Sequence, residues 1–429
     1  MHPPVPAAAW RALLLLALVY TFNFLDRTLI YILFGPIKAE LALSETQLAL
    51  LGSTSFVLFY TALGVPFGRL ADRVNRVRMI AGGLALWSLA SAATAWAHSF
   101  EAIFLCRVLV GVGEATLGPA AISLIADLFP AERRATASAT FGAGVPLGAG
   151  LALFAGGAIA QSLGWRPAFW LLGLPGLGLA AALLLLVREP RRNAAAGEPS
   201  SQLPAPATGG GATPSLEGII ARDPAARAHL VGYALFAVAA NAVAMWSPSL
   251  VGARFDLDLA RVGTLLGGCT VLGGLLGAAL GGSVADRWRR HGEGGRMRFT
   301  ASAALACGLG WVALLLAPTP WIAAVALFAL CACALAWLGP ALADLAEMVP
   351  AEARGRAVGG YYLVVNLVGY GLAPPLIGLL VDHAQGDRAE RLAAALVACP
   401  VSCCVAALVL WRGAQARERG PVPAATGTR

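Results

Sequence analysis

Asp26 and Arg27 stand side by side inside an apolar run, 10–34, where an ionised side chain facing hydrocarbon is costly. Arg107 and Glu114 stand in a second such run, 100–128, spaced by two helical turns and so on nearly one face. Neighbouring residues on a helix point about 100° apart, so Asp26 and Arg27 do not share one narrow contact and at least one reaches another helix. Two acids and two guanidiniums on two helices suit two kinds of chemistry. A carboxyl group carries a proton when its surroundings alternate between burial, which favours the neutral acid, and a guanidinium, which favours the anion. Glu114 and Asp26 are the candidate proton carriers, with Glu114 first because Gly111 and Gly113 would leave space and water near it. A guanidinium also holds an anionic headgroup, and Arg27 and Arg107 are the candidates for that. Anion and carboxylate would then compete for one cation. The plainer alternative is a structural pair that pins the first helix.

The second half of the chain offers different material. Tyr361, Tyr362, Asn366 and Tyr370 mix hydroxyls and an amide into an apolar run that Pro374 and Pro375 can distort. Asn366 and Tyr370, one turn apart, are the pocket candidates there, with Tyr362, Trp246 and Trp337 as aromatic surface. Fixed charge in one half and aromatics in the other suit an amphiphile, head towards the first and tail towards the second. A small sugar would require more converging amides and hydroxyls.

Such residues need a scaffold, and the composition restricts which. Of 429 residues, 58% are hydrophobic and 13% charged, and 50 are glycine. A soluble globule needs a more polar skin and a disordered chain has less apolar mass, so the chain reads as a membrane protein. Apolar segments fall near 10–34, 46–68, 77–97, 100–128, 135–160, 166–187, 229–250, 261–284, 299–317, 321–346, 357–381 and 392–411, which are twelve spans. The first resembles a signal peptide but runs on without a cleavage site, so it is expected to be retained. Most of the 31 basic residues fall on the side that carries both termini. That side is therefore expected to be cytoplasmic, and the net charge of +8 marks orientation rather than nucleic-acid binding. The eight cysteines lie almost all in apolar runs, without disulfide or metal spacing.

A Pro/Gly/Ala/Ser stretch separates a six-span bundle, 1–190, from a second, 229–412. The linker between them, 191–228, is expected to hold a short surface helix, and 413–429 a cytoplasmic tail. The halves echo each other. Gly68-Arg-Leu-Ala-Asp-Arg-Val-Asn-Arg76 returns loosely as Gly282-Ser-Val-Ala-Asp-Arg-Trp-Arg-Arg290, Leu117-Gly-Pro-Ala120 as Leu338-Gly-Pro-Ala341, and Pro130-Ala-Glu-Arg-Arg134 as Pro350-Ala-Glu-Ala-Arg354. Duplicated halves in one membrane domain are the usual build of an alternating-access carrier. The fifth and eighth spans are rich in small residues, which allows close backbone packing. A nucleotide loop is the rival reading of those glycines, but no Gly-Lys-Ser/Thr motif accompanies them.

The loop Gly68-x-x-x-Asp72-Arg73-x-x-Arg76 resembles the signature loop of the major facilitator superfamily, and Gly282, Asp286, Arg287 and Arg290 its second copy. Asn23-Phe-Leu-Asp-Arg27, Arg107-Val-Leu-Val-Gly-Val-Gly-Glu-Ala115 and Ile125-Ala-Asp-Leu-Phe129 resemble the spinster-type transporters within it. The resemblance implies a twelve-helix, all-α fold of two pseudo-symmetric six-helix bundles. It also implies gating at Gly68, Asp72, Arg73, Arg76, Asp286 and Arg287, and substrates such as lysophospholipids and sphingoid lipid phosphates. Gly68 is expected to allow close helix approach, and Asp72 to pair across to the other half.

These observations lead to one expectation. The chain is a secondary transporter of the bacterial inner (plasma) membrane, both termini cytoplasmic and functional as a monomer, moving an anionic lysolipid with H+ as the coupling ion. A small organic-anion carrier and a noncatalytic lipid-binding receptor or scaffold are the alternatives. No cofactor, metal or nucleic acid is expected. Nor is an enzyme, because His98, His229 and His383 have no metal spacing and no Ser/His/acid arrangement stands out.

Overall fold

A computed structural model describes residues 5–189, 223–349 and 354–419. The expected surface helix of the linker and most of the second Pro-Ala-Glu loop lie outside them. Among the described residues, twelve helical segments are long and apolar enough to cross a membrane. They are α1 (Ala7–Ile32), α2 (Glu45–Gly64), α3 (Arg76–Trp96), α4 (Phe100–Leu128), α5 (Ala131–Leu163), α6 (Trp165–Leu186), α7 (Pro224–Phe255), α8 (Leu259–Arg289), α9 (Gly295–Leu316), α10 (Pro320–Met348), α11 (Ala357–His383) and α12 (Arg388–Glu418). All regular structure among the described residues is helical. Each expected span is present, and several helices run past the apolar stretch. For example, α5 begins in the polar Ala131–Arg134 turn, because helix propensity does not stop where hydrophobicity does.

Twelve segments crossing in turn place the two described ends, Val5 and Arg419, on one face, here called the near face. The far face is held shut by contacts between the halves. The Asp382 carboxylate, at the end of α11, accepts hydrogen bonds from the Glu45 and Thr46 backbone N–H groups at 2.8 and 2.9 Å, and from Thr46 Oγ1 at 2.6 Å. Those amides open α2 and have no partner within their own helix, so the carboxylate caps it from the other half. Glu45, fully buried, pairs with Arg388 at 2.9 Å and Lys38 at 2.8 Å. Gln161 accepts from the Leu259 N–H where α5 meets α8. Trp96 and Trp321, 68% and 82% exposed, project at the far-face ends of α3 and α10, where an indole suits the lipid–water boundary.

Two helices are interrupted where the halves meet. α2 contains a π turn at Leu50–Thr54 and α11 another at Leu367–Leu372. Pro375 has no N–H for the Gly371 carbonyl four residues earlier, and that carbonyl instead accepts from Thr54 Oγ1 at 2.8 Å. The expected distortion by Pro374 and Pro375 thus becomes a contact between two π turns, a feature frequent at functional sites.

The near-face ion pairs built on α3, α10 and α12 are made within single halves. Arg76, buried, holds Asp127 at 2.6 Å, Glu189 at 2.6 Å and Ser123 at 2.8 Å. Arg417 holds Asp344 at 2.9 Å and Glu347 at 3.0 Å.

Candidate functional site

The four charges of α1 and α4 converge, and Arg27 reaches across from α1 to α4. Glu114 lies opposite Arg27, not Arg107: its Oε2 accepts from Arg27 Nη2 at 2.8 Å and Nε at 3.2 Å. Asn23, one turn before Arg27, accepts a further bond from Nη2 at 3.4 Å. The guanidinium lies over three rings, its Cζ 4.3 Å from the centre of Phe56, 4.7 Å from Phe24 and 5.0 Å from Tyr60. Its side chain keeps 13% of its surface exposed while that of Glu114 keeps none.

Arg107 is buried and turned towards backbone. Its Nε donates to the Leu51 carbonyl at 3.3 Å, Nη1 to the Asp26 carbonyl at 3.3 Å, and Nη2 to the Arg27 carbonyl at 3.5 Å. Leu51 lies in the π turn of α2, so this arginine ties the break in α2 to the charged turn of α1. Asp26 points the other way, into α3, where its Oδ1 accepts from Ser91 Oγ at 2.7 Å. Asp26 Oδ2 and Glu114 Oε1 are buried and make no hydrogen bond of good geometry among the described residues, although Trp87 lies near the Asp26 carboxyl and Asn23 near that of Glu114. A proton on such an oxygen would remove the charge but not the need for a partner, which water reaching the site during turnover can supply.

The glycines beside Glu114 require a correction. Gly111 and Gly113 do not hold space for water. A methyl group on Gly111 would sit 2.6 Å from the Phe56 carbonyl oxygen, and one on Gly113 2.7 Å from that of Gly83. They are where α4 touches α2 and α3, and the close approach is what brings Phe56 beneath Arg27.

The C-half candidates separate into two groups. Tyr370, in the π turn of α11, packs partly buried against the N-half core and lies within electrostatic reach of Arg27. Tyr362, 44% exposed, is within reach of Tyr60, and Asn366 is half-buried between them in sequence. Trp246 and Trp337 lie elsewhere. Trp246 is buried with its ring centre 6.2 Å from Phe34, and Trp337 is 5% exposed against Tyr233 and Phe236, so neither offers a ligand surface in this conformation.

At the near face, Asp72 caps the helix Ser55–Ala71, which continues α2 past Gly64, and Asp72, Arg73 and Arg287 are exposed. Asp286 pairs with Arg296 of α9 at 2.9 Å, inside its own half. The close approach expected at Gly68 is absent from this conformation. A methyl group there would make ordinary contact with Pro119 at 3.9 Å, and one on Gly282 would meet nothing within 4 Å. Arg76 belongs to the buried N-half cluster rather than to an exposed loop. Sequence reasoning missed Asn23, Ser91, Phe56 and Tyr60 around the charges and Glu45, Asp382 and Arg388 at the far face. Ser91 and Tyr60 carry no signal of their own, whereas Asp382 and Glu45 lie at span ends, where charge is ordinary.

Comparison with known proteins bears on the family and the fold. Residues 16–346 match the Major Facilitator Superfamily model. An MFS-type efflux pump of Mycolicibacterium smegmatis is 30% identical over 397 residues, covering 91% of this chain and 89% of that one. Human protein spinster homolog 1 is 33% identical over 298 residues, covering 65% of this chain and 55% of that protein. Among solved structures, a bacterial homologue of the human lysosomal transporter spinster, in an inward-facing and unoccupied conformation, has a TM-score of 0.83 at 24% identity and covers 98% of this chain and 100% of its own. The chain belongs to the Major Facilitator Superfamily, as a twelve-helix secondary transporter related to the spinster proteins.

Proposed function

We propose that this transporter moves an anionic amphiphile, a lysophospholipid or a lipid of similar build, and couples that movement to protons. The observation that carries the reading is Arg27: one guanidinium, partly exposed, held on one side by Glu114 and cradled by Phe24, Phe56 and Tyr60. A headgroup phosphate or carboxylate presents an anionic oxygen as Glu114 Oε2 does and competes for the same Nε and Nη2 donors. When the anion takes Arg27, Glu114 loses its counter-charge in a buried place and binds a proton; when the anion leaves, the ion pair re-forms and the proton is released. Asp26, held by Ser91 on α3, is the second proton carrier. Arg107 anchors the turn that presents both and lies beside the same anion path. The rings around Arg27 accept the apolar part of a lipid better than a sugar.

The inner membrane of a bacterium, with the near face cytoplasmic, fits the basic bias of that face, and the conformation is then inward-facing. Gating at Gly68, Asp72, Arg73, Arg76, Asp286 and Arg287 belongs to the opposite state, in which the near face closes.

Arg27→Gln tests the assignment. Binding of lysophosphatidylglycerol to the purified full-length protein should weaken at least 10-fold, while Arg27→Lys, which keeps the charge and loses the fork, should retain part of it. Unchanged binding in both variants would remove Arg27 from the substrate site.

A further inference from the structure

The two seams along which the halves meet are unlike each other. Along α5 and α8 the backbones touch. A methyl group on Gly157 would overlap the Leu259 carbonyl, one on Gly263 the Leu153 carbonyl, and one on Gly267 would sit 2.7 Å from the Gly150 carbonyl oxygen. Further along, a methyl on Gly274 would press on Pro146. Nothing the width of a hydrocarbon chain passes there. Along α2 and α11, by contrast, the helices leave a crevice of about 190 Å³ between Val57, Leu58, Thr61 and Ala62 on one wall and Leu363 and Leu367 on the other. Thr61 Oγ1, the polar side-chain atom of these walls, is buried without a partner among the described residues. Leu58 and Leu363 are 44% and 52% exposed. A crevice so lined, within two membrane spans, takes hydrocarbon readily and water poorly.

Its position relative to the charged site decides the occupant. Phe56 and Tyr60, which cradle Arg27, precede Val57 and Thr61 by one residue, a step of about 100° round α2. Tyr362, within electrostatic reach of Tyr60, precedes Leu363. The crevice therefore starts where the cation's aromatic cradle ends, and one molecule with an anionic head and an apolar chain fills both.

We propose that the crevice between α2 and α11 is the binding site for the substrate's hydrocarbon tail while its anionic head lies at Arg27, and that the lipid exchanges with the bilayer through this seam and not through the α5/α8 seam. The inference rests on the anionic-amphiphile reading above. It makes Thr61, Ala62, Leu363 and Leu367 determinants of chain length.

The test uses full-length protein in proteoliposomes and a lysophosphatidylglycerol carrying a photoactivatable diazirine on its chain. Adducts should concentrate on residues 57–62 and 363–367. Adducts on α5 and α8, or spread evenly over the lipid-facing surface, would overturn the site. Independently, Ala62→Trp, which fills the crevice from an exposed position, should cut transport of a sixteen-carbon lysolipid at least 10-fold relative to its six-carbon analogue. Leu363→Trp repeats the test from the other wall. Equal loss for both chain lengths in both variants, or no loss, counts against the proposal. Adducts in the crevice without any lipid transport by the wild type would uphold the tail site and sink the transport reading. Transport with adducts elsewhere would do the reverse.

Discussion

At the scale of single residues, the account turns on one guanidinium serving two anions in turn. Glu114 and the substrate head cannot both occupy the inner fork of Arg27, whose Nη2 and Nε already converge on one carboxylate oxygen. This exclusion links binding to proton uptake. Glu114→Gln removes the proton carrier while leaving an amide of the same shape beside Arg27. Accumulation driven by an imposed pH gradient should fall about 10-fold or more, whereas exchange of lysolipid between equal pools should survive, since exchange needs no net proton movement. Full gradient-driven accumulation by Glu114→Gln in proteoliposomes would contradict the assignment. The four charges themselves were legible in the sequence because ionisable groups are rare in apolar spans. Their pairing was not: Arg107 and Glu114 share a helix face by spacing, yet Arg107 is spent on three carbonyls and Glu114 meets α1. Ser91 was invisible for the opposite reason, being a residue type that occurs in membrane helices without any special role, and Asn23 stood in the first-helix motif without a role of its own.

At the scale of elements, opening the far face requires α2 and α11 to part. Asp382 holds three donors at the start of α2, and Gly378, one turn earlier on α11, lets it approach: a methyl group there would sit 2.8 Å from the Glu45 carbonyl oxygen. Charge-assisted hydrogen bonds contribute about 1.5–3 kcal/mol each to the state that forms them. Asp382→Asn should therefore shift the population towards the far-face-open state by about 10-fold or more. The measurement is the labelling rate of a cysteine placed on the cavity wall, using a reagent confined to the far side. An unchanged rate would show that this contact does not hold the gate. The sequence located α2 and α11 correctly, and Pro374 and Pro375 marked the break in α11. It gave no sign of the π turn in α2, because that irregularity is set by Arg107 and α11 rather than by a local breaker. The glycines of α5 and α8 announced close packing, which the structure shows as one sealed seam.

At the scale of the molecule, scarcity made the chain readable. With 13% of residues charged, the basic ones could be sorted by face and the remaining ionisable groups inside the spans stood out. Twelve spans and the echo of the two halves were enough for the fold. The distribution of tight and open contact between the halves was not readable, since it depends on which side chains meet across the seams in one particular state. The whole account requires a lipid flux tied to a proton flux. The direct measurement uses the purified transporter in proteoliposomes, with a pH gradient and a sodium gradient imposed separately, following labelled lysophosphatidylglycerol and a small organic acid together. The expected result is saturable lysolipid movement that responds to the pH gradient and not to sodium. Movement of the small acid without any lysolipid movement, or lysolipid movement indifferent to pH, would contradict it.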